Sequence, residues 1–126
     1  MRVQRICLVD DSKGMHASGN RFFVQQLGKD LVVAVNGFEA MDVILSNEVD
    51  ACFIDVEMPE LNGLQLVSIL RGNPKFDKMP IAMLSSSSNM FDQQKGLIAG
   101  ANFYVAKPFS KESIEQVLLL MEALHD

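Results

Sequence analysis

Ala51-Cys52-Phe53-Ile54-Asp55, running into Val56-Glu57-Met58-Pro59-Glu60-Leu61-Asn62-Gly63, is an apolar run of strand length that ends in a carboxylate and passes into a loop. A carboxylate at a strand end stays within reach of solvent and ligand. Two other apolar runs end in charge: Ile6-Cys7-Leu8-Val9 closes on Asp10 and Asp11, and Asn102 to Ala106 closes on Lys107. Three strands thus aim charge at one edge.

Working outward, apolar runs of strand length alternate with longer segments of helical period, the pattern of successive βαβ units around a parallel sheet. The strand candidates are Arg5 to Val9, Leu31 to Val35, Ala51 to Ile54, Ile81 to Leu84 and Asn102 to Ala106. Their richness in Val, Ile, Leu, Phe and Ala suits strands covered on both faces. Between them, Met15 to Leu27 reads as a helix despite Gly14 and Gly19. Phe38, Met41, Ile44 and Leu45 form a stripe after an Asn36-Gly37 turn. Asn62 caps a helix from Gly63 to Leu70, with Leu66, Val67, Ile69 and Leu70 inward and Gly72 at its end. Met90 to Ala99 makes a fourth, closed by Gly100. Ser110 caps the fifth, where Glu112 suits the first turn and Ile114, Val117, Leu118, Met121 and Leu124 form the buried stripe.

With 126 residues and 48% hydrophobic content, the chain suffices for one domain over residues 1–126 and not for two. Eleven basic and 16 acidic residues give a net charge of −5 without a basic cluster, which argues against direct nucleic-acid binding. The N-terminus leads straight into a strand-like run, and no segment reaches the ~18 apolar residues of a membrane span. A cytoplasmic protein without membrane attachment is expected. Cys7 and Cys52 each stand three residues before an acid, at matching levels if their strands are parallel neighbours. They read as buried, reduced thiols, since neither lies in a Cys-x-x-Cys motif. The eight methionines read as core filler with nothing arranging them as copper ligands, and His16 and His125 as solvated.

Right-handed crossovers place all strand C-termini on one side, and open α/β sheets bind ligands in the crevice there. Asp10, Asp11, Asp55, Ser85 and Lys107 fall on that side. Three converging carboxylates repel one another, and a hard divalent cation with oxygen ligands, Mg²⁺, relieves this. With Lys107, the ion offsets their charge, so an incoming phosphoryl group meets a neutralised pocket. Such a pocket suits phosphoryl transfer with Asp55 as nucleophile and Lys107 and the Ser85 hydroxyl as phosphoryl contacts.

The ordered set Asp10-Asp11, Asp55 with Met58-Pro59 and Gly63, Ser85, and Lys107-Pro108-Phe109 resembles the receiver (CheY-like) domain of two-component response regulators. The separations of 30 residues from Asp55 to Ser85 and 22 from Ser85 to Lys107 are similar to that family's, and the likeness covers essentially the whole chain. It implies a doubly wound, flavodoxin-like α/β fold of five parallel strands in order 2-1-3-4-5 with five helices. It implies that Asp55 accepts a phosphoryl group from the phosphohistidine of a sensor histidine kinase. Mg²⁺ would be held by Asp11, Asp55 and the backbone carbonyl of Glu57, with Asp10 acting largely through water. Ser85 and Lys107 would contact the phosphoryl group, and Lys107-Pro108 would be cis. Ser85 and Tyr104 would form the switch that reshapes the face of the fourth helix, fifth strand and fifth helix for a downstream protein target. Ser86 stands where a small Ala or Gly is usual, its hydroxyl within reach of phosphoryl oxygens. Glu57 and Ser87 occupy positions that tune hydrolysis in the family.

Other roles use the same residues. A phosphorelay intermediate would pass the group to a histidine phosphotransfer protein, and the chain could equally be a receiver excised from a larger regulator. A phosphorylation-independent interaction module leaves the residue set unexplained. An aspartate-nucleophile phosphatase would show Asp-x-Asp on the first strand and a cap domain, whereas here the pair is adjacent. No enzyme with separate substrate turnover is expected.

Overall fold

The computed structural model describes residues 2–86 and 90–124; Ser87 and His125, singled out in the sequence, lie outside them. Among the described residues, the chain runs β1 (Arg5–Val9), α1 (Lys13–Gly19) continuing as a π-helix (Asn20–Gln26), β2 (Asp30–Ala34), α2 (Gly37–Ser46), β3 (Ala51–Asp55) and α3 (Gly63–Arg71). A 3₁₀ turn (Pro74–Phe76), β4 (Ile81–Ser85), α4 (Met90–Ala99), β5 (Phe103–Ala106) and α5 (Lys111–Ala123) complete it. All strand pairs are parallel, in the order β2-β1-β3-β4-β5, as expected.

Strand alternation builds two cores. Cys7, Val9, Cys52, Ile54, Ile81 and Met83 face the layer of α2 and α3, where Ala40, Ile44, Leu66, Val67 and Leu70 meet them. Their neighbours Ile6, Leu8, Phe53, Ala82 and Leu84 face the opposite layer with Phe23, Ile114, Leu118 and Met121. β3 and β4 are buried along their whole length, while the edge strand β2 is largely half-exposed. Each large side chain fully buried here stabilises the fold by roughly 1.5–3 kcal/mol before entropy is counted.

The first helix departs most from expectation. It starts at Lys13, with the Ser12 side chain accepting from the Met15 N–H, and it does not stay α-helical to Leu27. At Asn20 it widens, and the Leu27 N–H reaches back to the Phe22 carbonyl at 3.0 Å. The widened turns bring two successive aromatics inward: Phe22 and Phe23 pack on Phe109 at 5.9 and 6.3 Å, and Phe23 also on Phe53 at 5.0 Å. Gly19, at the junction, lies so close to β1 that a Cβ there would be 2.5 Å from Leu8 Cδ2.

Smaller corrections follow local chemistry. Asn36 is not part of a free turn but the N-cap of α2, its side chain accepting from the Glu39 N–H at 2.8 Å. Ile69 does not face inward; it is 46% exposed, because Leu66, Val67 and Leu70 already fill the buried stripe of α3. Gly72 ends α3 with right-handed φ −74°, and Pro74 opens the 3₁₀ turn beyond it. Ser110 caps α5 as expected, in a capping box with Ser113. In α5, Val117 and Leu124 are only half-buried beside the buried Ile114, Leu118 and Met121. Arg71 locks the end of α3 to the 3₁₀ turn and to the α4–β5 turn, donating to the carbonyls of Phe76 (2.7 Å) and Gly100 (2.8 Å) and to Asn102 Oδ1 (2.9 Å). Among the described residues no helix is long and apolar enough to cross a membrane.

Candidate functional site

The parallel register carries the strand ends to one edge. Val9 pairs with Ile54 and Asp55 with Leu84, while Ser85 pairs with Ala106, so Asp10, Asp55, Ser85 and Lys107 emerge side by side. Asp10 is fully buried; its N–H donates to the Ala34 carbonyl at 3.0 Å, and its Oδ1 accepts from the Ser12 N–H at 2.9 Å. Asp55, the last residue of β3, is 3% exposed, and its Oδ1 accepts from the Glu57 N–H at 3.2 Å. Lys107 donates its backbone N–H to the Ser85 carbonyl at 2.8 Å, fixing the start of the loop after β5. Its Nζ reaches Asp55 Oδ1 at 3.0 Å and Asp10 Oδ2 at 3.2 Å. The Lys107-Pro108 bond is cis, as expected.

Asp11 is exposed and completes the acidic group: Asp10, Asp11 and Asp55 each offer a carboxylate oxygen, and these oxygens all lie within 4.8 Å of one another. An all-oxygen donor set with no thiol or imidazole fits a hard divalent cation better than a soft one. Burial pushes the Asp55 carboxyl above its ordinary range and nearby Asp10 adds to this, while the Lys107 hydrogen bond and charge act in the other direction. Burial alone pulls Lys107 down, yet hydrogen bonds and attraction from Asp55 and Asp10 together outweigh it and leave the amine raised. Lys107 is therefore a firm cation wedged between two acids. A further positive charge would relieve Asp55.

The remaining expected residues are placed as follows. Ser85 closes β4 and is buried, Ser86 just beyond it is exposed, and Glu57 is an exposed residue of the loop after β3. Tyr104 is half-buried on β5 opposite Met83, beside a groove shared with Pro108, Ser113 and Val117.

Sequence reading missed two contributors and the packing reason for a third. His16 is not simply solvated: its Nε2 lies 2.6 Å from the Asp10 carbonyl, pinning the backbone of a site acid from six residues away. Lys95 of α4 lines the cleft with Asp11, Glu57 and Met58, and no local pattern in the sequence marks it. Gly63 starts α3 directly against β3, where a Cβ would fall 2.1 Å from the Asp55 backbone oxygen. The resemblance had flagged that glycine, but only the packing explains it.

The chain matches the family of the response regulator receiver domain over residues 6–119. It belongs to that family. Among curated relatives of this receiver domain, Protein PilG of Pseudomonas aeruginosa is 34% identical over 110 residues, covering 87% of this chain and 81% of PilG. The Chemotaxis protein CheY homolog of Campylobacter jejuni is 35% identical, covering 90% and 92%. Response regulator MprA of Mycobacterium tuberculosis is 38% identical across 95% of this chain, which spans 50% of MprA. Among solved structures, a putative response regulator from Chloroflexus aurantiacus superposes with a TM-score of 0.90 at 28% identity, covering 97% of this chain and 99% of the other. The receiver domain of the P. aeruginosa sensor histidine kinase PA1611, with a magnesium ion coordinated in its active site cleft, gives 0.86 at 25% identity, covering 96% and 98%. The molecule is thus a CheY-like receiver domain of the two-component class, which works between histidine kinases and downstream targets.

Proposed function

We propose that Asp55 takes a phosphoryl group from the phosphohistidine of a sensor histidine kinase or a histidine phosphotransfer protein, and that the modified domain signals by binding a protein. The observation that carries this is Lys107 Nζ lying 3.0 Å from Asp55 and 3.2 Å from Asp10, beside a three-carboxylate cluster. In the transfer, the P–N bond to the donor imidazole breaks as a bond forms from a carboxylate oxygen of Asp55 to phosphorus. Burial holds Asp55 at a strand end with few alternative orientations, so positioning contributes much of the rate. Lys107 stands ready to offset charge on one phosphoryl oxygen, and the hydroxyls of Ser85 and Ser86 are the candidates for the others. Asp11, Asp55 and the backbone carbonyl of Glu57 would hold Mg²⁺, with Asp10 acting largely through water, and the ion when bound would supply neutralisation of the negative charge gathered at the site.

The output face in this reading is that of α4, β5 and α5, reshaped when Ser85 shifts and Tyr104 turns inward from its half-buried position. The protein works in the cytoplasm and turns over no separate substrate. With Mg²⁺ and a small phosphodonor, wild-type protein should be labelled and Asp55→Asn should not; labelling that persists in Asp55→Asn would exclude this acceptor. The alternative is a relay role, in which the group passes on to a histidine phosphotransfer protein. Back-transfer to a histidine phosphotransfer protein faster than hydrolysis would select that role over a terminal switch.

A further inference from the structure

Strands β1 and β3, which supply Asp10 and Asp55, also carry both cysteines. Cys7 and Cys52 are Cα partners in the β1–β3 pairing, both free, fully buried and directed into the layer of α2 and α3. A third sulfur joins them from a distant point in the chain: Met79 Sδ lies 3.9 Å from Cys52 Sγ. Register accounts for the meeting. Cys52 pairs with Ile81, and Met79, two residues earlier, enters the same core layer.

An ion about 2.3 Å from both the Cys52 and Met79 sulfurs would subtend an angle of about 116° between them, close to trigonal, with Cys7 on the neighbouring strand as the third donor. Thiolate and thioether donors select soft ions, above all copper(I). A monovalent ion with two thiolates carries one net negative charge. The guanidinium of Arg71 lies near enough to Cys52 to interact with it electrostatically, and its three hydrogen bonds hold it in place. Of the three sulfurs only Met79 borders the open groove it shares with Ile44, Leu45, Val49 and Phe76, so an ion would have to enter past its side chain to reach the fully buried thiols.

We propose that Cys7, Cys52 and Met79 form a copper(I) site held by two thiolates and one thioether. On binding, two S–H bonds break and two protons leave to solvent, while two copper–thiolate bonds and one thioether bond form. Copper stays Cu(I) and no oxidant or reductant is needed. Contact with Cys7 and burial both push the Cys52 thiol well up, so the empty site stays protonated and unreactive until a metal with high thiolate affinity displaces the protons. The site shares no residue with the phosphoacceptor cluster and stands independently of the proposed phosphoryl chemistry.

The test is anaerobic titration of the reduced 126-residue chain with copper(I) against a competing copper(I) chelator, with thermal unfolding followed by circular dichroism. One equivalent retained by wild type, with a raised Tm, is expected, because a ligand of the folded state stabilises it. Cys7→Ala and Cys52→Ala should lose more than about a hundredfold in affinity, and the volume-conserving Met79→Leu roughly tenfold. Asp55→Asn should bind copper like wild type. Complete surrender of copper to the chelator, equal affinity in Met79→Leu, or a lowered Tm indicating capture by the unfolded chain would each overturn the site. Met79→Leu decides the matter even if an alanine variant fails to fold.

Discussion

The edge and the middle of the same two strands hold opposite kinds of chemistry three residues apart. At the edge, Asp10 and Asp55 meet Asp11 and Lys107, with ionised oxygens crowded together and a cation already between two of them. In the middle, Cys7 and Cys52 stand side by side and Met79 reaches Cys52, with polarisable sulfurs packed among Val9, Ile54 and Ile81. A charged group can sit on this sheet only where the strand ends and a counter-charge or solvent can reach it. A thiol tolerates full burial as a small hydrophobe. One register therefore builds a hard site at the rim and a soft one beneath it.

Four measurements would sharpen or break that contrast, in falling order of effect. Replacing Asp55 by Asn should abolish phosphodonor labelling, a loss above about a thousandfold if Asp55 is the nucleophile, whereas Cys52→Ala should leave labelling within a fewfold of wild type. A comparable loss in Cys52→Ala would mean that the two regions are not separable.

Gly63→Ala tests how tightly rim and core are joined, because the new methyl would meet the Asp55 backbone oxygen at 2.1 Å and Met83 Cε at 3.0 Å. It should cost about 2–3 kcal/mol in urea unfolding and slow labelling as well, since α3 must lift from β3. A stability change without a labelling change would place the strain on the Met83 side alone.

His16→Ala removes the contact with the Asp10 carbonyl and should cost about 1 kcal/mol and slow labelling severalfold. Full activity in this variant would show that Asp10 is held well enough by Ser12 and Ala34.

The smallest effect is in pH dependence without divalent ions. Folding raises the carboxyl of Asp55, so its contribution is fully favourable below the ordinary aspartate range and is lost as pH rises through the raised folded value. Stability in EDTA should then gain on mild acidification from neutrality, and Asp55→Asn should flatten that gain. Lys107 is also raised, so its contribution is full below the ordinary lysine range and fades as pH rises through its folded value; Lys107→Met should flatten that alkaline limb. Saturating Mg²⁺ should suppress the acid-side slope, and an unchanged slope would argue that the ion does not sit beside Asp55.

Much of this was legible in one dimension. Strand-length apolar runs alternating with helical stripes specify βαβ units around a parallel sheet, the family resemblance adds its doubly wound order, and a parallel sheet puts every strand C-terminus on one side, so Asp10, Asp55, Ser85 and Lys107 could be assigned to a shared edge without coordinates. Caps at Asn62 and Ser110 were readable because an N-cap bond spans three residues. Periodicity failed at Asn20, where the helix changes its winding, and at Ile69, where apolar character did not mean burial.

Sequence alone determined the sheet, its chirality and the acids at its rim, because these rest on local period and on one chiral rule. Only the tertiary structure decided that His16 grips Asp10, that Gly63 seats α3 against Asp55, and that Met79 meets Cys52. Those meetings depend on packing distances of a few ångströms between separate elements, and no spacing along the chain encodes them.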